Sequence, residues 1–524
     1  MIHGKNFIGF ELSSKGDNTF TAIDPAQSTQ LEGRFYSATT EEVDQAVEKA
    51  STAFALYKNM TGLEKAAFLE QIAEEILALG DVLIQRAMAE SGLPEGRITG
   101  ERGRTIGQLR LFADLLREGS WVEAAIDTAE PERSPIPKPD IRKMLVPIGP
   151  VIVFGASNFP LAFSTAGGDT ASALAAGNPI IVKGHNSHPG TSELVAGAIL
   201  EAAKKTNMPD GVFSHLNDSG FEVGRQLVSA SAVKAVAFTG SQKGGKALYD
   251  LAGQRNEPIP VFAEMGSINP VIILPGALEN VEVLAQQYAA SITLGSGQFC
   301  TNPGLLLGLE SSKLDAFKNL LKDQIASIVP TTMLNEGIFK NYEAKKLATV
   351  EQAGVEVISA SEQSSGKTSG IPLVASVSGN EFIANPKLHE EVFGPFSLLV
   401  VCNDDNQLGE IASSLEGQLT ITIMGSEDDL VKNAKVIDTL TSKTGRIIFN
   451  GVPTGVEVCS SMQHGGPYPA STDSRFTSVG TGAIKRFVRP ISFQNWPDSL
   501  LPAELQNSNP MEIWRLKDNN WNKN

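Results

Sequence analysis

Apolar residues recur along the chain with two different spacings, and the spacing changes near residue 146. Between residues 39 and 118 the spacing is helical; a capping box of Thr39 and Glu42 precedes apolar residues at 43, 46, 47 and 50. Residues 1–38 show only short strand and turn patterns. The first part of the chain is therefore predicted to be mostly helical.

From residue 146 onward, short apolar runs alternate with helical stretches. Apolar runs separated by helices of about 10 to 15 residues are typical of βαβ units with a parallel sheet. A second region with the same alternation extends from residue 270 to about residue 449. The pattern predicts the α/β fold class. The apolar runs of the first region cover residues 148–154, 179–183, 212–216 and 233–238.

Three segments lack this alternation. Residues 125–142 are rich in proline and charge, which excludes a packed helix and predicts an extended arm or linker. Residues 460–482 are rich in glycine, proline, serine and threonine, and are predicted to form a surface loop. The chain from residue 489 onward has an extended and then irregular pattern.

Length, charge and cysteine content narrow the possible functions. A chain of 524 residues is too long for one compact core, so two or three packed domains are expected. The net charge of −16 disfavours a nucleic-acid partner, because phosphates would be repelled. Three cysteines without a CxxC pair predict neither a disulfide framework nor a metal site. With no signal-peptide pattern and no apolar run of about 18 residues, we expect a cytoplasmic protein without a membrane partner.

A glycine-rich turn follows the apolar run at residues 233–238. The turn, from Gly240 to Ala247, resembles a nucleotide-binding P-loop, but Ala247 replaces the serine or threonine that Mg²⁺ binding needs. This replacement argues against a nucleoside triphosphatase, and the GxGxxG dinucleotide fingerprint is also absent from the sequence. The turn still allows a phosphate to approach backbone N–H groups at a helix N-terminus.

Cys300 has a sequence context that fits a nucleophile. Nearby glycines at 295 and 297, together with Pro303, place it on a loop or at the start of a helix, where a thiolate is stabilised. A free cysteine is also commonly a small buried hydrophobic residue, and the local sequence leaves both interpretations open.

Three polar residues beside apolar runs are further candidates. Glu264 would have a raised pKa on burial and suit a general base, or it would be an ion-paired structural carboxylate. Lys183 either faces the crevice where parallel sheets bind ligands or is a solvated strand end. Asn158 would either donate to an oxyanion or cap the helix that follows it.

Taken together and in this order, these residues resemble the aldehyde dehydrogenase superfamily, and the resemblance covers nearly the whole chain. It implies a fold with a Rossmann-type cofactor domain, an α/β catalytic domain and an oligomerisation arm. The chain departs from the family pattern at Ala156 and Ser157, which replace a proline and a tryptophan. The matching segments are residues 155–161, 182–183, 238–241, 264–266, 297–300 and 390–395.

The resemblance also implies how the chain is divided and assembled. The NAD(P)-binding domain would comprise residues 1–128 and 148–264, and the catalytic domain residues 265–465. Residues 129–147 and 466–524 would form the oligomerisation arm and the C-terminal tail. We expect a homodimer rather than a tetramer.

The mechanism implied by the resemblance gives each reacting group a role. Cys300 would attack the aldehyde, while Asn158 and the backbone N–H of Cys300 hold the oxyanion. Glu264 would activate the water that hydrolyses the thioester, which argues against a coenzyme A-acylating relative. The cofactor contacts implied are Lys183 and Glu391 at the riboses, Gly240, Ser241 and Gly245 at the pyrophosphate, and Phe393 beside the nicotinamide ribose.

One position bears on the choice between NADP and NAD. In NAD-preferring relatives a glutamate stands three residues after the cofactor lysine, and here that position is Asn186. Without the carboxylate a 2′-phosphate is not repelled, and Lys183 can pair with it. We expect NADP to be preferred and NAD to be the weaker cofactor.

Several loops resemble a narrower group, the α-ketoglutaric semialdehyde (2,5-dioxopentanoate) dehydrogenases, which form 2-oxoglutarate. The same loops also resemble NADP-dependent fatty-aldehyde dehydrogenases, so a medium- or long-chain aldehyde is the alternative substrate. A non-catalytic scaffold on the same fold is a remote third alternative, and the intact set of reacting residues argues against it. The loops are residues 108–113, 119–122, 451–458 and 463–470.

Side chains around the expected substrate tunnel offer a further distinction. Arg104 would bind a substrate carboxylate, unless it is a solvated or structural arginine. His464 would tune the thiolate of Cys300, although a loop histidine without a chemical role is the simpler interpretation. Apolar walls that suit either substrate are expected from Phe159, Phe163 and Phe299.

Overall fold

The computed structural model describes residues 2–363 and 366–523. Within these residues the strands form two seven-stranded sheets, one five-stranded sheet and three two-stranded ribbons. No helix in this part of the chain is long and apolar enough to cross a membrane. The α/β class predicted from the alternating pattern is confirmed.

The sheet that holds residues 151–264, here called the N-terminal sheet, has five parallel strands and two antiparallel edge strands. Its parallel strands are largely buried because helices cover both faces. In sheet order the strands are Val261–Glu264, Ala235–Thr239, Val151–Phe154, Ile180–Lys183, Phe213–Leu216, Asn6–Ile8 and Glu11–Ser13. The connecting helices are Gly168–Ala176, Pro189–Lys205, Glu222–Ser229 and Gln242–Gly253.

The order of these strands predicts the position of a binding crevice. The chain enters at the central strand Val151–Phe154, builds outward on one side, and then returns to build the other side. Parallel sheets bind ligands at such a reversal, outside the carboxyl ends of the strands. The crevice therefore lies beside Phe154, Lys183, Thr239 and Glu264.

The predicted N-terminal helices are present and begin where the caps indicate. Thr39 and Glu42 form the expected capping box, and Thr61 with Glu64 forms a second one. The helices pack on the N-terminal sheet and share its core, in which Phe68 and Leu109 are completely buried. Their bounds are Thr40–Tyr57, Gly62–Ala78, Gly80–Ser91 and Glu95–Glu118.

The second seven-stranded sheet, here called the C-terminal sheet, matches the α/β region predicted for residues 270–449. Its strands are parallel except for the antiparallel pair at one edge. In sheet order they are Glu356–Ala360, Leu373–Ser378, Phe396–Cys402, Leu305–Leu309, Val271–Ile273, Gln418–Met424 and Thr444–Phe449. Its helices are Val281–Thr293, Ser312–Ser327, Glu336–Val350, Gly379–Ala384, Asp405–Ser414, Glu427–Lys432 and Ala434–Thr441.

The proline-rich segment and the tail meet in the five-stranded sheet, here called the arm sheet. Leu505 and Ile513 are completely buried behind it, which explains why the tail is more regular than its sequence pattern indicates. In sheet order the strands are Val488–Gln494, Ile141–Pro147, Ala125–Asp127, Arg515–Lys517 and Asn520–Asn522. The ribbons pair Thr19–Phe20 with Phe35–Tyr36, Ile23–Asp24 with Thr29–Gln30, and Thr331–Thr332 with Ser369–Gly370. Short 3₁₀ helices span Ser120–Val122, Pro275–Asn280, Leu294–Gly297, Pro386–His389, Thr481–Phe487, Asp498–Leu500 and Ala503–Leu505.

Candidate active site

Cys300 lies on a turn between the two large sheets. The turn follows the 3₁₀ helix Leu294–Gly297, in which Ser296 and Gly297 have positive φ angles of 57° and 65°. A Cβ on Gly297 would lie 2.2 Å from the carbonyl carbon of Gly394, so only glycine fits. The expectation of a loop position is met, but Cys300 is not at the N-terminus of an α-helix.

A buried asparagine holds this turn in place. The Asn269 side-chain amide donates to the carbonyl of Cys300 at 2.8 Å and to that of Asn302 at 2.9 Å. Its oxygen accepts hydrogen bonds from Ser267 and Thr420. Sequence reasoning missed Asn269, because a single asparagine beside an apolar run carries no signal of what it contacts.

Glu264 is buried at the carboxyl end of its strand and is held by two groups. Ser478 Oγ donates to Oε2 at 2.6 Å. His464 Nε2 lies 2.9 Å from Oε1, at ion-pair distance but without the alignment of a hydrogen bond. Burial acts to raise the pKa of Glu264, but His464 and Ser478 together leave that pKa below its ordinary value. The expected raised pKa was therefore wrong, because the sequence did not reveal these two partners.

The thiol of Cys300 has the opposite environment. Burial, followed by the negative charge of Glu264, raises the pKa of Cys300 well above its ordinary value. The expected stabilisation of a thiolate by a helix N-terminus is absent from this turn. His464 Nε2 lies 3.5 Å from Sγ. His464 is thus in contact with both reacting groups, contrary to the simpler interpretation of a loop histidine without a role.

Asn158 reaches the nucleophile from the N-terminal sheet. It lies in the loop after Val151–Phe154, and its Nδ2 donates to the carbonyl of Gln298 at 3.1 Å. The next helix begins at Gly168 with Gly167 as its N-cap, so Asn158 does not cap it. The amide is therefore positioned beside the Cys300 turn, where an oxyanion would form.

A cavity of about 210 Å³ opens above Cys300. Three aromatic rings form its walls, with centroid separations of 5.1 Å between Phe159 and Phe163 and 5.5 Å between Phe159 and Phe299. The opposite wall is the loop that carries Gly455 and Val456. Sequence reasoning predicted the aromatic side and missed the support of the loop. That support is an arginine, Arg446, which donates to the carbonyls of Pro453 and Gly455.

Two arginines of the helix Glu95–Glu118 line this cavity, and they differ in their partners. Arg97 pairs with Glu101 at 2.8 Å, and Glu101 also accepts from the backbone of Leu161 and Ala162. Arg104 lies over the Phe163 ring at 5.3 Å. Its buried Nε and Nη2 have no hydrogen-bond partner within the described residues. Burial lowers the pKa of Arg104, although guanidinium stays charged at neutral pH.

The expected cofactor residues line the crevice of the N-terminal sheet and the far side of the Cys300 turn. Lys183 Nζ lies 3.5 Å from the carbonyl of Asp218, and Ser241 caps the helix Gln242–Gly253. Glu391 and Phe393 line a small cavity next to Gly297, and burial raises the pKa of Glu391 to about 7.

Glycines allow the helix Gln242–Gly253 to pack closely against the end of the neighbouring strand. A Cβ on Gly245 would lie 2.7 Å from Met265 Sδ, so the first turn of its helix packs directly on the strand end. Gly240 lies at the carboxyl end of Ala235–Thr239, and Asn186 is exposed. A helix N-terminus, a lysine and a carboxylate at one crevice are the groups that hold a dinucleotide.

Comparison with known proteins agrees with this geometry. The model of the aldehyde dehydrogenase family matches residues 12–480. The chain belongs to the aldehyde dehydrogenase family. It is accordingly an NAD(P)-dependent oxidoreductase that acts on an aldehyde, as the motifs indicated, and the resemblance on which that prediction rested is confirmed.

Relatives within the family are similar over their whole length. The chain is 48% identical to alpha-ketoglutaric semialdehyde dehydrogenase 2 of Azospirillum brasilense, with 99% of each chain covered. It is 45% identical to alpha-ketoglutaric semialdehyde dehydrogenase of Acinetobacter baylyi, with 98% of each covered. A betaine aldehyde dehydrogenase from Staphylococcus aureus, solved in complex with NAD⁺, has the same fold, with a TM-score of 0.81 at 20% identity over 95% of this chain and 96% of that one.

Proposed function

We propose that this enzyme oxidises 2,5-dioxopentanoate, the α-ketoglutaric semialdehyde, to 2-oxoglutarate, with NADP⁺ as the preferred hydride acceptor. The names of the two relatives that are 48% and 45% identical support this substrate. The observation that carries the proposal is the Nε and Nη2 edge of Arg104 in the cavity above Cys300, which has no hydrogen-bond partner among the residues that the structure describes.

The chemistry of that edge fits a carboxylate. Nε and Nη2 lie on one side of the guanidinium, and their parallel N–H groups would each donate to one oxygen of a substrate carboxylate. A buried donor without a partner costs about 1–3 kcal/mol, and a substrate carboxylate would remove that cost. An alkanal has no group that could do so, although the phenylalanine walls would accept its apolar chain.

The reacting groups support a thioester mechanism. Cys300 Sγ forms a bond to the aldehyde carbon, while Glu264 and His464 are placed to take the thiol proton. The Asn158 amide and the Cys300 backbone N–H would bind the resulting oxyanion. NADP⁺ would supply the hydride acceptor for the oxidation when bound, and Lys183, Glu391 and Phe393 would hold it. Glu264 then takes a proton from water as the water oxygen attacks the thioester. The carbon–sulfur bond breaks, the carboxylic acid is released, and the proton returns to Cys300 Sγ to restore the thiol.

The preference for NADP⁺ rests on the residues around the adenosine ribose. Asn186 adds no negative charge there, and Lys183 supplies an ammonium close by. A 2′-phosphate would gain a charge-assisted hydrogen bond from Lys183 without repulsion. Glu391 and Phe393 would hold the nicotinamide ribose, and Gly240, Ser241 and Gly245 the pyrophosphate.

We also propose a domain division and an assembly. Residues 1–128 and 148–264 would form the cofactor domain, residues 265–465 the catalytic domain, and residues 129–147 and 466–524 the arm and tail. A homodimer through the arm and tail accounts for the exposed side chains of Trp496, Leu500 and Trp521. Three free cysteines suit the reducing cytoplasm.

Initial rates of NADP⁺ reduction test the substrate proposal. We expect kcat/KM for 2,5-dioxopentanoate to exceed that for hexanal and dodecanal, and Arg104→Met to lower it by about 100-fold, the cost of leaving a desolvated charge unpaired. The loss should appear mainly in KM and leave hexanal unaffected.

A matched control is Arg102→Met on the same helix, since Arg102 donates to the carbonyl of Gly80 and does not line the cavity. We expect it to change neither substrate's rate. Preference of the unaltered enzyme for dodecanal would assign the protein to the fatty-aldehyde alternative. An equal loss on both substrates in Arg104→Met would show that Arg104 does not anchor the substrate carboxylate.

A further inference from the structure

Three groups with the chemistry of zinc ligands meet beside Cys300, where the substrate cavity adjoins the end of the strand Val261–Glu264. Cys300 Sγ, His464 Nε2 and a carboxylate oxygen of Glu264 all lie within 4.8 Å of one another. His464 Nε2 lies between the other two, 3.5 Å from Sγ and 2.9 Å from Oε1. Turnover uses a thiol and a carboxylate at this point and needs no cation there.

Two of the three separations are near those of a tetrahedral zinc site, and the third, between Cys300 Sγ and the Glu264 oxygen, is within 4.8 Å. With Zn–S of about 2.3 Å and Zn–N and Zn–O of about 2.0 Å, tetrahedral ligand atoms lie roughly 3.3 to 3.5 Å apart. The observed sulfur–nitrogen distance of 3.5 Å already has this value, and the nitrogen–oxygen distance of 2.9 Å needs a small opening. The cavity of about 210 Å³ above Cys300 provides an entry path and a place for water as the fourth ligand.

We propose that Cys300, His464 and Glu264 form an inhibitory binding site for Zn²⁺. The cation replaces the proton of the Cys300 thiol, which passes to solvent, and it occupies the lone pairs of His464 Nε2 and of one Glu264 oxygen. Aldehyde cannot add to a sulfur that is bound to zinc, so occupation of the site stops turnover. The site is regulatory and does not depend on which aldehyde is the substrate.

The surroundings limit the affinity and make the inhibition reversible. Arg104 lines the same cavity, and its positive charge opposes a cation. Zinc-binding histidines usually donate their second ring N–H to an acceptor, but His464 Nδ1 has no such partner within the described residues. We therefore expect binding that a chelator reverses within the time of an assay.

Binding of Co²⁺, followed by absorbance, tests the site independently of enzyme activity. Added to the purified enzyme in the absence of aldehyde and cofactor, Co²⁺ should produce one near-ultraviolet thiolate-to-metal charge-transfer band per chain, and Zn²⁺ should displace it. Cys300→Ser should abolish the band, whereas Cys459→Ser, which alters the other partly exposed thiol, should retain it. Absence of the band in the unaltered enzyme, or its loss only in Cys459→Ser, would overturn the proposal.

Kinetics and two further variants identify the remaining ligands. Zn²⁺ should inhibit competitively with aldehyde, and EDTA should restore the rate. His464→Gln should weaken Co²⁺ binding by on the order of 100-fold, since losing a ligand costs at least as much as losing an outer-sphere partner. Arg104→Met should strengthen it, because a like charge is removed. Unchanged affinity in His464→Gln would show that the cation binds the thiol alone and would contradict the three-ligand site.

Discussion

The two sides of the Cys300 turn are built in different ways. On the cofactor side, Lys183, Glu264 and the turn at Gly240 all lie at carboxyl ends of strands in one sheet. On the substrate side, Arg104 comes from a helix, Phe159 from a loop, and His464 from a distant loop. Strand order therefore determines the first set, whereas only tertiary packing brings the second set together.

This difference indicates which side of the turn determines substrate specificity. A cofactor crevice at strand ends can be shared by many enzymes, because the backbone creates it. The substrate cavity depends on a few side chains, and changing one of them changes what is recognised. A substitution on one side should therefore affect either cofactor binding or substrate recognition, whereas a substitution in the turn that joins them should affect both.

The largest effect is expected from Gly297→Ala, which should disrupt both sides at once. The new Cβ would lie 2.2 Å from the Gly394 backbone, and the residue has a φ of 65°. We expect the free energy of unfolding to fall by about 3 kcal/mol or more, measured by chemical denaturation.

Gly103→Ala is the matched control for this change. Gly103 is inside the helix Glu95–Glu118, and beyond that helix no atom of the described residues lies within 4 Å of the point where a Cβ would project. The free energy of unfolding should rise by about 0.5–1 kcal/mol. A change of less than about 0.5 kcal/mol in Gly297→Ala would show that the turn adapts and that the two sides are less rigidly joined.

Glu264→Gln should separate the first half of the reaction, which uses the cofactor, from hydrolysis. If Glu264 activates water, the variant should still release one equivalent of NADPH in a burst, and steady turnover should fall by about 100-fold or more. Stopped-flow absorbance measures both quantities.

Ser478→Ala keeps the carboxylate and removes only its 2.6 Å hydrogen bond, so it should cost about tenfold in steady turnover. A Glu264→Gln enzyme without a burst would mean that Glu264 is required before the thioester forms.

The sequence allowed much of the cofactor side to be predicted and less of the substrate side. The strand end at Lys183 followed from apolar periodicity, whereas Glu264 was placed only within an apolar run. The roles proposed for both residues came from family resemblance. The sequence left open whether His464 lies near Cys300, and nothing in it indicated the contact with Glu264, which joins residues 200 positions apart in the chain. The wrong expectation for the pKa of Glu264 has the same origin.

The position of Arg104 illustrates the limit more closely. The sequence indicated Arg104 as the arginine beside the tunnel, and nothing in it drew attention to Arg97, which lies on the same helix. Only the structure shows that Glu101 neutralises Arg97 and that the Nε and Nη2 of Arg104 have no partner among the described residues. Periodicity predicts which face of a helix is buried, whereas the partner of each charge depends on the neighbouring element.

A moderate effect is expected from pH on the cofactor side alone. Burial raises the pKa of Glu391 to about 7, so the carboxylate that we propose accepts the ribose hydroxyls is present above this pH and is lost below it. The affinity for NADP⁺ should fall about tenfold between pH 8 and pH 6, as the ionised fraction falls. Equilibrium fluorescence titration measures this affinity. Glu391→Gln should bind weakly at both pH values, and a persistent pH dependence in that variant would assign the titration to another group.

The smallest effect is expected at the edge of the crevice, from Asn186→Glu. The new carboxylate would repel a 2′-phosphate and would accept a hydrogen bond from the 2′-hydroxyl of NAD⁺. Because Asn186 is exposed, solvent screens this charge, and we expect the ratio of kcat/KM for NADP⁺ to that for NAD⁺ to fall only about fivefold. Asn186→Gln, which adds no charge, should leave the ratio unchanged.

Ionic strength sharpens this last comparison. If repulsion between the new carboxylate and the 2′-phosphate causes the shift, raising the salt concentration should reduce it, because exposed charges are screened over about 10 Å at 0.1 M salt. A hydrogen bond to the ribose of NAD⁺ would persist at high salt. A ratio that Asn186→Glu does not change at any salt concentration would place cofactor selectivity on Lys183 and its strand end, inside the crevice rather than at its edge.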